Sequence, residues 1–91
     1  MVDFDSAAQW DSELLVFWAN QGKERIRCLA GRETIAELKG FTHADTHEIA
    51  RRKLEIKAIL EPFAKRKIEK RAFDITVVHS VTLYMHDLKP I

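Results

Sequence analysis

The sequence predicts an α+β fold: a three-stranded antiparallel sheet, built from an N-terminal hairpin and a C-terminal strand, with two or three helices packed on one face. Three observations carry this expectation. Two short apolar runs, "ELLVFWA" and "ERIRCLA", flank an Asn-Gln-Gly step, which is the mark of a hairpin. Apolar residues then recur at helical spacing from about Asp45 to Arg71. The last run, "FDITVVHSVTLYMHDLKP", is β-branched and aromatic, the composition of strands. With 91 residues the chain makes one domain, 1–91, because a body this small buries only roughly 60 to 65% of the surface its unfolded chain exposes and cannot divide its core.

In the hairpin, Gly22 suits the left-handed position of a type I turn followed by a bulge. That loop pairs Val16 with Ile26 and Leu14 with Cys28 on the face toward the helices. On the other face it pairs Phe17 with Arg25 and Leu15 with Arg27. "RETIAELKG" then reads as a short helix, with Gly31 as N-cap, Glu33 in the first turn and Gly40 as the stop. The long helix starts near Asp45, where Thr42 and Asp45 can form a variant capping box. It carries Ile49, Ile56, Ile59, Leu60, Phe63 and Ala64 on one stripe, the face that packs on a sheet. Pro62 lacks an amide hydrogen and crowds the preceding turn, so a kink or a division into two helices is expected there. The final strand is placed at Val81 to His86, with Val81, Leu83 and Met85 on its apolar face and "ITVV" as an extension or a separate piece.

Composition narrows the class. Hydrophobic residues make up 46% and charged residues 32%, with a net charge of +1, as in an ordinary soluble globular protein. No apolar run approaches the ~18 residues of a membrane span. The first ten residues have neither a basic nor an apolar signal region, so the expected location is the cytoplasm. A single cysteine forms no internal disulfide.

Chemistry-bearing residues are few. Cys28 shares the helix-side face with Ile26, which makes it a small core residue rather than a nucleophile. His43, Asp45 and His47 stand near a helix start with no glutamate in an HExxH arrangement and no assured third ligand, so no metal is expected. No Gly-rich phosphate loop or nucleophile elbow is present, and no cofactor is implied. No acid, base and nucleophile come together, which places an enzyme behind other readings. The basic run Lys65, Arg66, Lys67, Lys70 and Arg71 suits the negative end of a helix dipole and offers phosphate contacts. The sheet face away from the helices is expected to carry Leu15, Phe17, Arg25, Arg27, Thr82 and Tyr84. Such a face either stacks single-stranded bases or is covered by a subunit, another protein or the N-terminal segment bearing Phe4 and Trp10.

Taken together, Trp10, "VF" at Val16 and Phe17, Gly22, "IRC" at Ile26 to Cys28, the short helix ending at Gly40, "LEPFAKRKI" at Leu60 to Ile68 and Asp87 resemble a bacterial family catalogued as domain of unknown function 1488. The resemblance covers nearly the whole chain. It implies a short, stand-alone protein with no assigned activity and no catalytic residues to carry over. Where members place a serine before the short helix this chain has Gly31, and its segment before the last strand is longer. The expected function is that of a non-catalytic interaction or regulatory module acting on itself as a homodimer or on another protein. A weak single-stranded nucleic-acid binder is the alternative, and no membrane partner is expected.

Overall fold

Strand β1 (Val2–Asp11), strand β2 (Leu14–Gln21) and strand β3 (Glu24–Gly31) run antiparallel, each beside the next. Three helices follow, α1 (Arg32–Ala36), α2 (Thr46–Arg51) and α3 (Lys53–Glu69), and the chain returns as β4 (Ser80–Leu83) on the far side of β3. The computed structural model describes residues 2–70 and 79–90. The expected "ITVV" strand and Arg71 lie outside the described residues.

The α+β class stands, with two corrections to the sheet. Among the described residues it has four strands, because the N-terminal segment is itself an edge strand and does not lie over the face away from the helices. Val2, Phe4, Ala8 and Trp10 pack against the core, and Asp3, Asp5 and Gln9 alternate with them on the other face. A bulge between Phe4 and Ala8 holds two extra residues, a device that also blunts an exposed edge. The sheet is also mixed, since β4 pairs with β3 in parallel, Cys28 opposite Val81 and Ala30 opposite Leu83. A parallel pair needs a crossover of a dozen or more residues, and the three helices provide it.

The hairpin register differs from the expected one, and the turn is the reason. Gln21 pairs with Glu24, leaving Gly22 and Lys23 as a two-residue loop. Gly22 has φ 61°, and positive φ at the first loop residue alone is the pattern of a type II′ turn. Phe17 therefore meets Cys28 and Leu15 meets Ala30. This is an odd shift from the expected pairing, and it turns every β2 side chain over relative to β3. Leu15 and Phe17 are fully buried under the helices with Ile26 and Cys28, not on the open face.

The helices sit over that inner face. Gly31 precedes α1 without a side-chain cap, and Asp45 caps α2 by itself, accepting from the Glu48 amide at 2.8 Å. The division of the long helix falls at Arg52, with φ −107° and ψ 21°, and α3 runs unbroken through Pro62. The amide that Pro62 lacks would have reached Ala58, on the exposed side of the helix, where water can serve the freed carbonyl. At the actual break the Arg52 guanidinium bonds Glu48 and Glu55 and lies 4.1 Å from the Phe41 ring centre. Ile49, Ile56, Leu60, Ala64 and Ile68 are buried in one stripe that continues past the proline. β4 ends at Leu83, earlier than expected, and Met85 to Asp87 form a 3-10 turn. The Asp87 carboxylate accepts from the Tyr84 amide at 2.8 Å and turns the chain there, which leaves Met85 exposed.

Candidate functional site

One sheet face is buried and the other is open. Among the described residues, the buried hydrophobic side chains form a single cluster on the helix side. On the opposite face, none of Asp3, Asp5, Gln9, Leu14, Val16, Trp18, Asn20, Arg25, Arg27, Leu29, Ser80 and Thr82 is buried. Antiparallel sheets often leave one face to water, and such a face is normally polar at alternate positions. Here β2 instead presents Leu14, Val16 and Trp18 in succession, with Leu29 beside Val16 on β3.

Charge is divided by strand on this face. β1 supplies Asp3, Asp5 and Asp11, β3 supplies Arg25 and Arg27, and the apolar β2 runs between them. Asp3, Asn20 and Arg25 form one row across three strands, and Trp18 and Arg27 stand in the next, level with the β1 bulge. Arg25 lies over the Trp18 ring at 4.2 Å and donates to Asp5 at 2.9 Å, while Asn20 donates to the same carboxylate at 2.7 Å. The Asn20 and Arg25 hydrogen bonds hold the Asp5 carboxyl below the usual carboxylate range. Among the described residues Arg27 and Asp3 have no ion-pair partner.

The residues expected to form the interaction surface are thus partly separated. Leu15 and Phe17 belong to the core, whereas Arg25 and Arg27 do lie on the open face. Tyr84 is exposed but stands beyond the other end of the sheet, past the Ala30–Leu83 pair. Its ring stacks on His86 at 5.5 Å and takes the Lys67 ammonium at 4.9 Å. It shares a cleft of about 390 Å³ with Leu14, Arg32 and Thr82. Leu14, Val16 and Trp18 are the residues missed at the sequence level, whereas Leu29 follows from its alternation with Cys28. Gly-Lys as a two-residue loop with glycine first was the available signal.

The basic run serves the fold at two of its positions. Arg66 donates to the carbonyls of Asp87 and Lys89, each at 2.9 Å, and of Pro90 at 3.2 Å. Lys67 donates to the Thr82 carbonyl at 2.7 Å and to the Asp87 carboxylate at 2.8 Å. Because the Arg27 amide bonds the His79 carbonyl, the groups of Thr82 point to the free edge of β4, and Lys67 occupies that edge. Lys65 and Lys70 are exposed. Lys70 lines a cleft of about 340 Å³ with Arg66, His86, Asp87 and Lys89. This end of α3 lies on the helix layer, so it does not join Trp18 and Arg25 in one surface.

Cys28 is fully buried, and burial pushes its thiol up to about 12, so it is a protonated core residue at neutral pH. His43, Asp45 and His47 are exposed around the start of α2, and among the described residues no three His, Cys, Asp or Glu gather as a metal site would need. No helix of the described residues is long and apolar enough to cross a membrane. No family model matches this sequence, and neither a curated protein nor a solved structure matches it.

Proposed function

We propose that this protein is a small non-catalytic interaction module of the bacterial cytoplasm, related to the domain of unknown function 1488 family, and that its open sheet face meets another protein. The observation that carries this reading is the apolar β2 stripe of Leu14, Val16 and Trp18, flanked by carboxylates on one side and guanidinium groups on the other. Aromatic side chains and arginine are the residue types enriched at protein interfaces. Trp18 with Arg25 also offers a stacking surface for a base. Asp3 and Asp5 share the rows of those cations and repel a phosphate backbone, which favours a protein over a nucleic acid.

The test is the size of the assembly in cell extract. Wild-type protein should run in gel filtration as a species larger than one chain, before and after nuclease treatment, and Trp18→Ser should return it to the size of a folded monomer. Wild-type protein at monomer size in extract would defeat the reading. Collapse of the assembly on nuclease treatment would replace it with the nucleic-acid alternative.

A further inference from the structure

We infer that the partner is a second copy of this chain, packed sheet face on sheet face about a two-fold axis that runs along β2. This rests on the interaction reading above and names its partner.

The charge layout selects both the partner and the axis. A two-fold dimer is self-complementary, so each patch must suit what the rotation lays over it. Aligned sheets stack with their strands within about 30° of each other and roughly 10 Å apart. Three simple placements of the axis follow. An axis across the strands lays β1 end for end on its own copy, so the acidic strand that carries Asp3, Asp5 and Asp11 meets a second acidic strand. An axis along the strands but between β2 and β3 lays β1 on β4, whose open-face residues Ser80 and Thr82 carry no charge. An axis along β2 lays β1 on β3. Rows are kept in that rotation, so Asp3 comes level with the partner's Arg25, and Asp5, at the bulge, comes level with the partner's Arg27.

The same rotation lays β2 on β2 and closes Val16 and Trp18 against their own copies, removing the half-buried apolar stripe from water. It also gives Arg27 and Asp3, which have no ion-pair partner among the described residues, a counter-charge. Arg25 is stacked over Trp18 and tied to Asp5, so the charged and aromatic groups of the face are held in place before association. Three strands of about eight residues span roughly 14 Å by 27 Å at ordinary strand spacings. That is smaller than the ~800 Å² per partner of a standard stable interface, so the dimer forms in a concentration-dependent way.

Sedimentation equilibrium of the purified full chain tests this. Wild type should pass from monomer to dimer as concentration rises into the high micromolar range. Arg27→Asp alone and Asp5→Arg alone should each associate at least roughly tenfold more weakly, since like charges then face each other. An equimolar mixture of the two should recover the dimer, because each chain supplies the charge that the other lacks. Asn20→Cys should be joined to its own copy by a short bis-maleimide, since the axis places Asn20 over its own copy, and Gln9→Cys should not. The reagent bridges the roughly 10 Å between stacked sheets, a gap too wide for a direct disulfide. The cross-linking pair decides the matter if circular dichroism shows that a charge variant does not fold. A wild-type monomer at all concentrations, failure of the mixture to recover, or cross-linking through position 9 rather than 20 would overturn the inference. A pure monomer that still joins a Trp18-dependent assembly in extract overturns only this inference. Monomers in both settings overturn the interaction reading as well.

Discussion

Phe17 stands directly opposite Cys28 in the β2–β3 ladder, and both side chains are fully buried beneath the helices. The pair marks the centre of the core and settles which face of β2 is inward.

Removing the ring should therefore cost stability rather than association. Phe17→Ala is expected to lower the unfolding free energy by about 3 to 5 kcal/mol, the range for a large aromatic lost from a packed core, as measured by urea denaturation. Its neighbour supplies an independent check. With the Cys28 thiol pushed up to about 12 by burial, labelling with a thiol reagent at neutral pH should be slow in the native protein and rapid once it unfolds. Fast labelling of native protein would contradict the buried position.

Lys67 ties three parts of the chain together, and its loss should loosen the C-terminal turn. Replacing it by Met removes the donor to the outward Thr82 carbonyl and leaves the Asp87 carboxylate with the Tyr84 amide, at a cost of about 1 to 3 kcal/mol. Amide hydrogen exchange around Ser80 to Asp87 should rise more than exchange in β2. Equal protection in variant and wild type would show that the lysine holds nothing there.

Asp87 gives this anchor a pH dependence with a definite sign. Burial alone pushes its carboxyl up, but the Lys67 ammonium and the Tyr84 amide outweigh that, and the net result lies below the usual aspartate value. A carboxyl lowered in the folded state contributes stability above its unfolded pKa, near ~3.9, and loses it as pH falls through the lower folded value. Thermal melts of wild type should hold their Asp87 contribution at neutral pH and shed it in acid. In Asp87→Asn the neutral-pH melting temperature should be lower and the gap to wild type should close as the pH drops. A gap that stays constant in acid would sink this assignment.

The first hairpin turn is strained and can be relieved. Ser12 and Glu13 form the loop between paired Asp11 and Leu14, with φ of 52° and 66°. Positive φ at both loop residues is the type I′ pattern that favours Asn-Gly. Ser12→Asn combined with Glu13→Gly should stabilise the protein by about 1 kcal/mol. Glu13 gives up only an exposed pair with Arg32, a contact of small worth. A loss of stability in the double variant would mean that the turn adopts another geometry.

Much of the fold was legible along the chain. Ile26 and Cys28 alternate with Arg25 and Arg27, which leaves only one way to face β3. The stripe of Ile49, Ile56, Leu60 and Ala64 marks the inner side of the helices, and Asp45 stands where a cap is needed. β2 could not be read in the same way. Leu15, Phe17 and Ala19 are apolar on one phase, and Leu14, Val16 and Trp18 are apolar on the other. A period-two pattern with both phases apolar does not choose a face, and the choice passed to the length of the Gly22–Lys23 turn. β1 was readable, since Val2, Phe4, Ala8 and Trp10 fall on even positions, but the bulge that keeps them in phase exists only against β2.

The sequence by itself determined the α+β class, the identity of most helix-core residues and the inward position of Cys28, because each follows from spacing within one element. Only the tertiary structure decided the phase of β2, the parallel direction of β4 and the partners of Arg66 and Lys67. Those depend on how separate elements meet. A crossover long enough for a parallel return is also long enough for an antiparallel one, and a cation at a helix end has no partner until the returning strand brings carbonyls and a carboxylate to it.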